Sequence, residues 1–377
     1  MKTSVRLLAV VAAGSLFAAA CGEAPDTEPG GTETETTQPT GSETSEPVAA
    51  DFHGCLVTDD GGIDDKSFNA TAWKGLTDLE DEGMISADVL ESESEADYEP
   101  HINAFLDQDC DIIVTVGFKL GAATRAAAEA NPEQLFAIVD YDFADFDDAG
   151  NFVADVTLPN VKELTFQTDE AAFLAGYVSA GVTQTGIVGT YGGLNIPTVT
   201  IFMDGYLAGV RHHNAEKGTA VEVLGWDGDD GLMAGTFEDT QEGRNLTDQL
   251  LAGNADIILP VAGPVGDGTG AAIQDANGGQ MMIWVDFDGY VTTTYGSIIL
   301  TSVVKAMDTA VRDATEAAMD GSFEGGLYVG TLENDGVGLA PFHDFEDAVS
   351  DELKAELDAL REGIIAGEIS VKPEDYA

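Results

Sequence analysis

Basic side chains are scarce: lysine and arginine number 15 against 69 aspartates and glutamates, for a formal net charge of −54. A surface of that sign repels nucleic acid and anionic lipid, so neither is expected as a partner. Self-repulsion also opposes compaction, whereas about 1 M salt, with a Debye length of about 3 Å, screens it. The composition therefore reads as salt adaptation rather than as an acidic functional patch. Cysteine is nearly absent, with three in the chain, which excludes a disulfide scaffold or a cysteine-rich metal cluster. The five histidines form no His-Glu-x-x-His pair, and no Gly-x-Ser-x-Gly elbow occurs, so neither enzyme signature is present. No catalytic role, cofactor or metal is expected. The longest apolar run, 7–20, falls short of the roughly 20 residues a membrane span requires.

That run has the form of a secretory signal: Lys2 and Arg6 precede it, and Ala18-Ala19-Ala20 leads directly to Cys21. Residues 1–20 are read as a signal peptide and Cys21 as the lipidated first residue of the mature chain, which puts the protein on the extracytoplasmic face of the cell membrane. Plain secretion with a free Cys21 is the alternative. Residues 22–50, rich in Gly, Pro, Ser, Thr and Glu, bury too little apolar surface to offset their ordering entropy, so 21–50 reads as a lipidated, disordered acidic tether.

From Leu56 onward short apolar runs (56–58, 87–90, 112–116, 135–139) alternate with helical patterns (67–82, 98–108, 120–129), the signature of a parallel sheet with crossover helices. The rhythm restarts after a helix around 170–182, with runs at 186–190, 220–224, 257–260 and 281–285. An α/β protein of two lobes follows, since single cores rarely outgrow about 250–300 residues. The expected division is 51–165 with about 291–325 in the N-terminal lobe, and 166–290 with about 326–377 in the C-terminal lobe. Residues 298–318 show apolar positions at helical spacing, and the chain is expected to re-cross between lobes there. Cys55 and Cys110 each open an apolar run, and they could pair if those runs are neighbouring parallel strands.

Ligands of open parallel sheets sit beyond the carboxyl ends of the strands. The residues there are conspicuous: Asp59 to Asn69 after the first strand, Asp140-Tyr141-Asp142, the turn Val261-Ala262-Gly263-Pro264-Val265-Gly266, and Asp286-Phe287-Asp288. Asp59 and Asp286 would also serve simply to cap helices, Asp65 or Ser67 to cap the first helix, and Phe68 and Phe237 to pack locally.

Asp64-Asp65-Lys66-Ser67-Phe68-Asn69, the stretch Phe166 to Tyr177, Phe202-Met203-Asp204-Gly205-Tyr206, Leu224-Gly225-Trp226, the Val261–Gly266 turn and Leu300 to Lys305 together resemble the basic membrane protein family of bacterial substrate-binding lipoproteins. Characterised members include purine nucleoside receptors of ABC importers. The resemblance implies a type I periplasmic-binding-protein fold, two Rossmann-like lobes joined by three crossover strands, with a small ligand in the cleft and a membrane permease as partner. It assigns the base to a stack between Phe68 and Phe237 and the base's donor edge to Asp140, helped by Asn69. The ribose falls to Asp59, Asp286, the Gly263 backbone and Lys305, whose own partner is expected to be Asp286 or a sugar oxygen. Two departures stand out: Trp284 and Phe287 are bulky beside Asp286, and the 288–292 segment is short.

Two other functions compete, beside a structural or adhesive lipoprotein without a ligand, against which the glycine-rich loops at strand ends argue. The same fold would also serve to bind a sugar or signalling molecule for sensing. Asp59-Asp60 with Asp64-Asp65 superficially resembles the calcium-binding aspartates of a nucleoside hydrolase. A monomeric globule on its tether is the simplest assembly.

Overall fold

The computed structural model describes residues 51–146 and 152–376. The signal peptide, Cys21 and the tether lie outside the described residues. In chain order the elements are β1 (His53–Val57), α1 (Phe68–Asp81), β2 (Ser86–Leu90), α2 (Glu95–Leu106), β3 (Ile112–Val116), α3 (Gly121–Ala130), β4 (Leu135–Val139), β5 (Ala144–Phe146), β6 (Phe152–Asp155) and β7 (Val161–Phe166). There follow α4 (Thr168–Val182), β8 (Ile187–Gly192), α5 (Pro197–Lys217), β9 (Glu222–Leu224), α6 (Thr240–Ala252), β10 (Ile257–Val261), α7 (Gly266–Ala276), β11 (Met281–Asp286), α8 (Gly289–Thr292), β12 (Ile299–Lys305), α9 (Met307–Asp320), β13 (Gly326–Gly330), β14 (Val337–Leu339) and α10 (Asp351–Ile365).

The strands form two six-stranded sheets, ordered β13-β7-β4-β3-β1-β2 and β14-β12-β11-β10-β8-β9, beside a small β5-β6 hairpin that sequence patterning does not reveal. Every pairing in the first sheet is parallel, and in the second only β14 runs antiparallel, against β12. Central strands such as β3 and β10 are buried on both faces, as parallel sheets covered by helices require.

The chain passes between the lobes three times, after Phe166, after Lys305 and between Gly330 and Val337. The passages are hydrogen-bonded side by side: Gln167 donates its N–H to the Gly330 carbonyl at 2.8 Å, and Ala306 donates to that of Gly336 at 2.9 Å. The division of the C-terminal third differs from the sequence expectation. Residues 299–305 are not helical but form β12, a central strand of the second sheet, whereas β13 at 326–330 completes the first. Helix α9, packing on α1, and β13 together return to the first lobe. The helical spacing of Ile299, Val303 and Val304 misleads because β12 is buried on both faces, so its pattern lacks alternation.

The hinge-side helix α4 is buried almost all round. It approaches α5 so closely that a Cβ on Gly209 would lie 1.9 Å from the Phe173 carbonyl oxygen and one on Gly176 2.1 Å from that of Tyr206.

Strand β1 lies directly beside β3, and a disulfide joins Cys55 to Cys110 across a separation of 55 residues. A crosslink closing a loop of that size stabilises by about 2–4 kcal/mol. The Cys55→Ala/Cys110→Ala variant is therefore expected to unfold at lower urea than the parent; coincident curves would show that the bond contributes nothing.

Candidate functional site

The carboxyl ends of β1, β4, β10, β11 and β12 converge on one cleft between the lobes. Its cavity, about 590 Å³ including space open to solvent, is lined by all eight residues singled out in the sequence: Asp59, Phe68, Asn69, Asp140, Phe237, Gly263, Asp286 and Lys305. Asp60, noticed in the sequence but given no role in binding, also lines it, and sequence reasoning missed Phe118, Ile196, Thr198, Val199 and Phe202. Phe202 lies inside a family stretch, but Phe118, just after β3, carries no polar signal that would separate it from the core.

Lys305 ends β12 rather than sitting on a helix, and its partner is Asp140 rather than Asp286. Its Nζ donates to Asp140 Oδ2 at 2.5 Å, with side-chain exposures of 2% and 9%. The ammonium also lies 4.9 Å from the centroid of the Phe68 ring, a cation–π contact. Because Lys305 belongs to the second sheet and Asp140 follows β4 of the first, this buried pair spans the cleft.

Asp140 and Asp286 both take left-handed backbone angles, φ 63° and 70°, at the ends of their strands. Few non-glycine residues tolerate that region, and aspartate is among those that do. Gly263 shares it at φ 52°, leaving open space where a Cβ would stand and hence room for a ligand against its backbone.

Asp65, not Ser67, caps α1: its carboxylate accepts from the backbone N–H groups of Ser67, Asn69 and Ala70 at 3.0, 2.7 and 3.0 Å. Ser67 is thereby free to donate its hydroxyl across the cleft to Asp286 Oδ2 at 2.6 Å. Burial raises the Asp286 carboxyl to about 6, against the opposing pull of Lys305 and the Ser67 hydroxyl. Asn69 donates its amide to Asp59 Oδ1 at 2.9 Å, and its buried amide oxygen has no partner among the described residues. Asp59 is raised to about 8, first by burial and then by Asp60 and Asp65, partly offset by Asn69 and Lys119. Its carboxylate rests on Gly117, where a Cβ would come within 2.3 Å.

Phe237 comes from the loop between β9 and α6 and packs on the Gly193 backbone. Trp284, bulky in the sequence, is buried in the second lobe's core against Gly266 and Gly289, so it does not displace Asp286 from the cleft.

The four aspartates suggestive of a hydrolase diverge. Asp59 meets Asn69, Asp60 pairs with Lys119 at 2.6 Å, Asp65 caps a helix and Asp64 is exposed. Among the described residues, the grouping of histidine, cysteine and acidic side chains close enough to share a metal is His53, Cys55 and Cys110, at the far end of β1, with both sulfurs already bonded to each other.

Comparison with known proteins agrees with this architecture. The chain is 30% identical over 348 residues to the ABC transporter nucleoside-binding protein BmpA of Lactococcus lactis subsp. cremoris, covering 88% of this chain and 92% of that protein. It is 29% identical over 314 residues to basic membrane protein A of Borreliella burgdorferi, covering 83% and 85%. A crystal structure of an ABC transporter solute-binding protein from Aeropyrum pernix superposes with a TM-score of 0.75 at 24% identity, over 85% of this chain and 92% of that one. The fold is that of a type I periplasmic binding protein. No helix among the described residues is long and apolar enough to cross a membrane. Residues 53–375 match the family model for PnrA-like ABC transporter substrate-binding proteins, and the chain belongs to that family.

Proposed function

We propose that this protein captures a purine nucleoside on the extracytoplasmic face of the membrane, held there by lipid on Cys21, and presents it to an ABC permease. The family supplies substrate binding for ABC transport, a binding rather than a catalytic role. The observation that carries the nucleoside reading is the make-up of the cleft: Phe68 from one lobe and Phe237 from the other line the same cavity as Asp140, Asp286, Asp59 and Asn69.

A purine is flat, apolar on its faces and rich in donors at its edge, and a ribose presents hydroxyls to carboxylates. Two rings and several acceptors suit that combination, whereas a sugar, which also tolerates aromatic stacking, would want more polar groups where the base edge meets Asp140. The nucleoside-binding relative supports the same ligand class. Because the ligand would touch both lobes at once, it stabilises the closed form by differential affinity.

The test is a thermal-shift screen of the chain in molar salt against adenosine, guanosine, inosine, cytidine, uridine, free purine bases and ribose. A ligand at 100 times its dissociation constant adds about 2.7 kcal/mol and raises the melting temperature. Stacking contributes about 1–3 kcal/mol per base, so Phe237→Ala is expected to weaken purine nucleoside binding by roughly 5- to 150-fold. No response to any purine nucleoside, or a stronger response to ribose than to nucleosides, would sink this assignment.

A further inference from the structure

Lys66 and Ser67 are adjacent in the sequence and belong to the first lobe, yet they bond to three separate elements of the second. Lys66 Nζ donates to Asp267 Oδ2, in the first turn of α7, at 3.0 Å. The Lys66 carbonyl and the Asp288 carbonyl share the Thr292 hydroxyl, at the end of α8, as its acceptors at 3.3 Å each. Ser67 donates to Asp286, the last residue of β11.

The local backbone makes this possible. Lys66 adopts φ 58°, the left-handed region that lysine rarely occupies, and Asp65 takes over the capping of α1; the Ser67 backbone bonds within its own lobe, to Asp65 and Thr71, while its hydroxyl and the Lys66 ammonium and carbonyl reach the other lobe. A residue held in a sparsely populated conformation while its carbonyl and its side chain both reach across a cleft points to a role in that crossing. The charge balance adds a second reason. Closing two strongly acidic lobes brings like charges together, and Lys66 is one of only nine lysines in the chain. Its ammonium meets Asp267 at the partly exposed edge of the cleft, outside the lining of the cavity itself. Asp267 Oδ1 is buried without a hydrogen-bond partner among the described residues, and Lys66, at Oδ2, is the cation this carboxylate meets across the cleft.

We propose that Lys66 and Ser67 form an interlobe clasp that holds the cleft closed, with Ser67 also positioning the Asp286 carboxylate from the opposite lobe. The Lys66–Asp267 arm lies outside the lining that holds the Lys305–Asp140 pair, whereas the Ser67 arm ends on Asp286 within it. In the nucleoside reading above, on which only this consequence rests, the clasp sets how long the ligand is retained. Opening the lobes requires all three contacts to break together, and each is made between protein groups alone.

Hydrogen exchange on the ligand-free full-length chain in molar salt tests the clasp without reference to any ligand. In Lys66→Asp, which places two carboxylates face to face, amides of segments 262–268 and 286–292 in the second lobe are expected to exchange several-fold faster than in the parent, although the substitution lies in the first. The milder Lys66→Gln should move the same segments in the same direction. The charge-swapped Lys66→Asp/Asp267→Lys variant should return them toward the parent rate, which a general loss of folding would not allow. Unchanged exchange in the single variants, or no recovery in the swap with native circular dichroism, would overturn the clasp. A parent that binds no purine nucleoside would refute the preceding reading and leave this result standing.

Discussion

Replacing Lys305 with methionine is expected to destabilise the protein by about 3–5 kcal/mol and to abolish ligand capture. The magnitude follows from what is left behind. Asp140 is almost wholly enclosed, and Lys305 is its cation at 2.5 Å. Removing one member of such a pair strands the other without compensation, at about 3–5 kcal/mol. Methionine fills much of the lysine stem's volume beside Phe68, Phe166 and Phe202, so little of the loss is attributable to a cavity. Replacing both members, in Lys305→Met/Asp140→Leu, should recover most of the stability, because buried pairs often exchange for apolar residues at little net cost. Binding should not return with it. Urea denaturation of the parent, both single variants and the double variant closes the cycle. Additive destabilisation, with the double variant the least stable of the four, would show that the two side chains do not act as a pair.

That cycle also separates what the sequence makes legible from what it does not. The alternation of apolar runs and helical patterns announces a parallel α/β architecture, and the rule that ligands lie beyond strand carboxyl ends selects Asp59, Asp140, Gly263 and Asp286. These residues are readable because each follows a short apolar run immediately, so its place at the sheet's edge is set by local sequence. Lys305 is different. Its run, Ile299 to Val304, is buried on both faces and fits a helix as well as a strand, so neither its element nor its lobe is visible locally. Its partner depends on how the three passages bring β12 of one sheet toward β4 of the other, a long-range property without a sequence period. Phe118 and Phe202 remain hidden for a simpler reason: an apolar ring facing a cleft has the same composition as one facing the core. Ser67 looks like an N-cap because its residue type and place fit one. Only the geometry shows that Asp65 has taken that role and freed the hydroxyl for Asp286.

Asp59→Asn is expected to stabilise the ligand-free protein at high pH and to leave it nearly unchanged in acid. Asp59 sits at about 8, held up chiefly by burial and next by Asp60 and Asp65. An aspartate of ordinary pKa near 3.8 ionises in the unfolded chain well before it does so in the folded one. Between about 4 and 8 the native state therefore holds more protons than the unfolded state, and stability falls as pH rises through that window. Asp286, raised to about 6, adds its own decline over the lower half. Each tenfold difference in proton affinity between the two states is worth about 1.4 kcal/mol, but Asp59 keeps some surface at the cleft, so solvent screening reduces the expected gain to about 2–3 kcal/mol above pH 8. Asparagine retains an oxygen to accept from Asn69, which otherwise gives its amide to Asp59 Oδ1. Melting temperatures of parent and variant at pH 4.5 and pH 9, both in molar salt so that the charge of the whole chain is screened equally, read the difference directly. A gap that opens only at the higher pH supports a carboxylate strained by its surroundings. A constant gap, or none, would show that solvent reaches Asp59 freely and that burial does not raise its carboxyl.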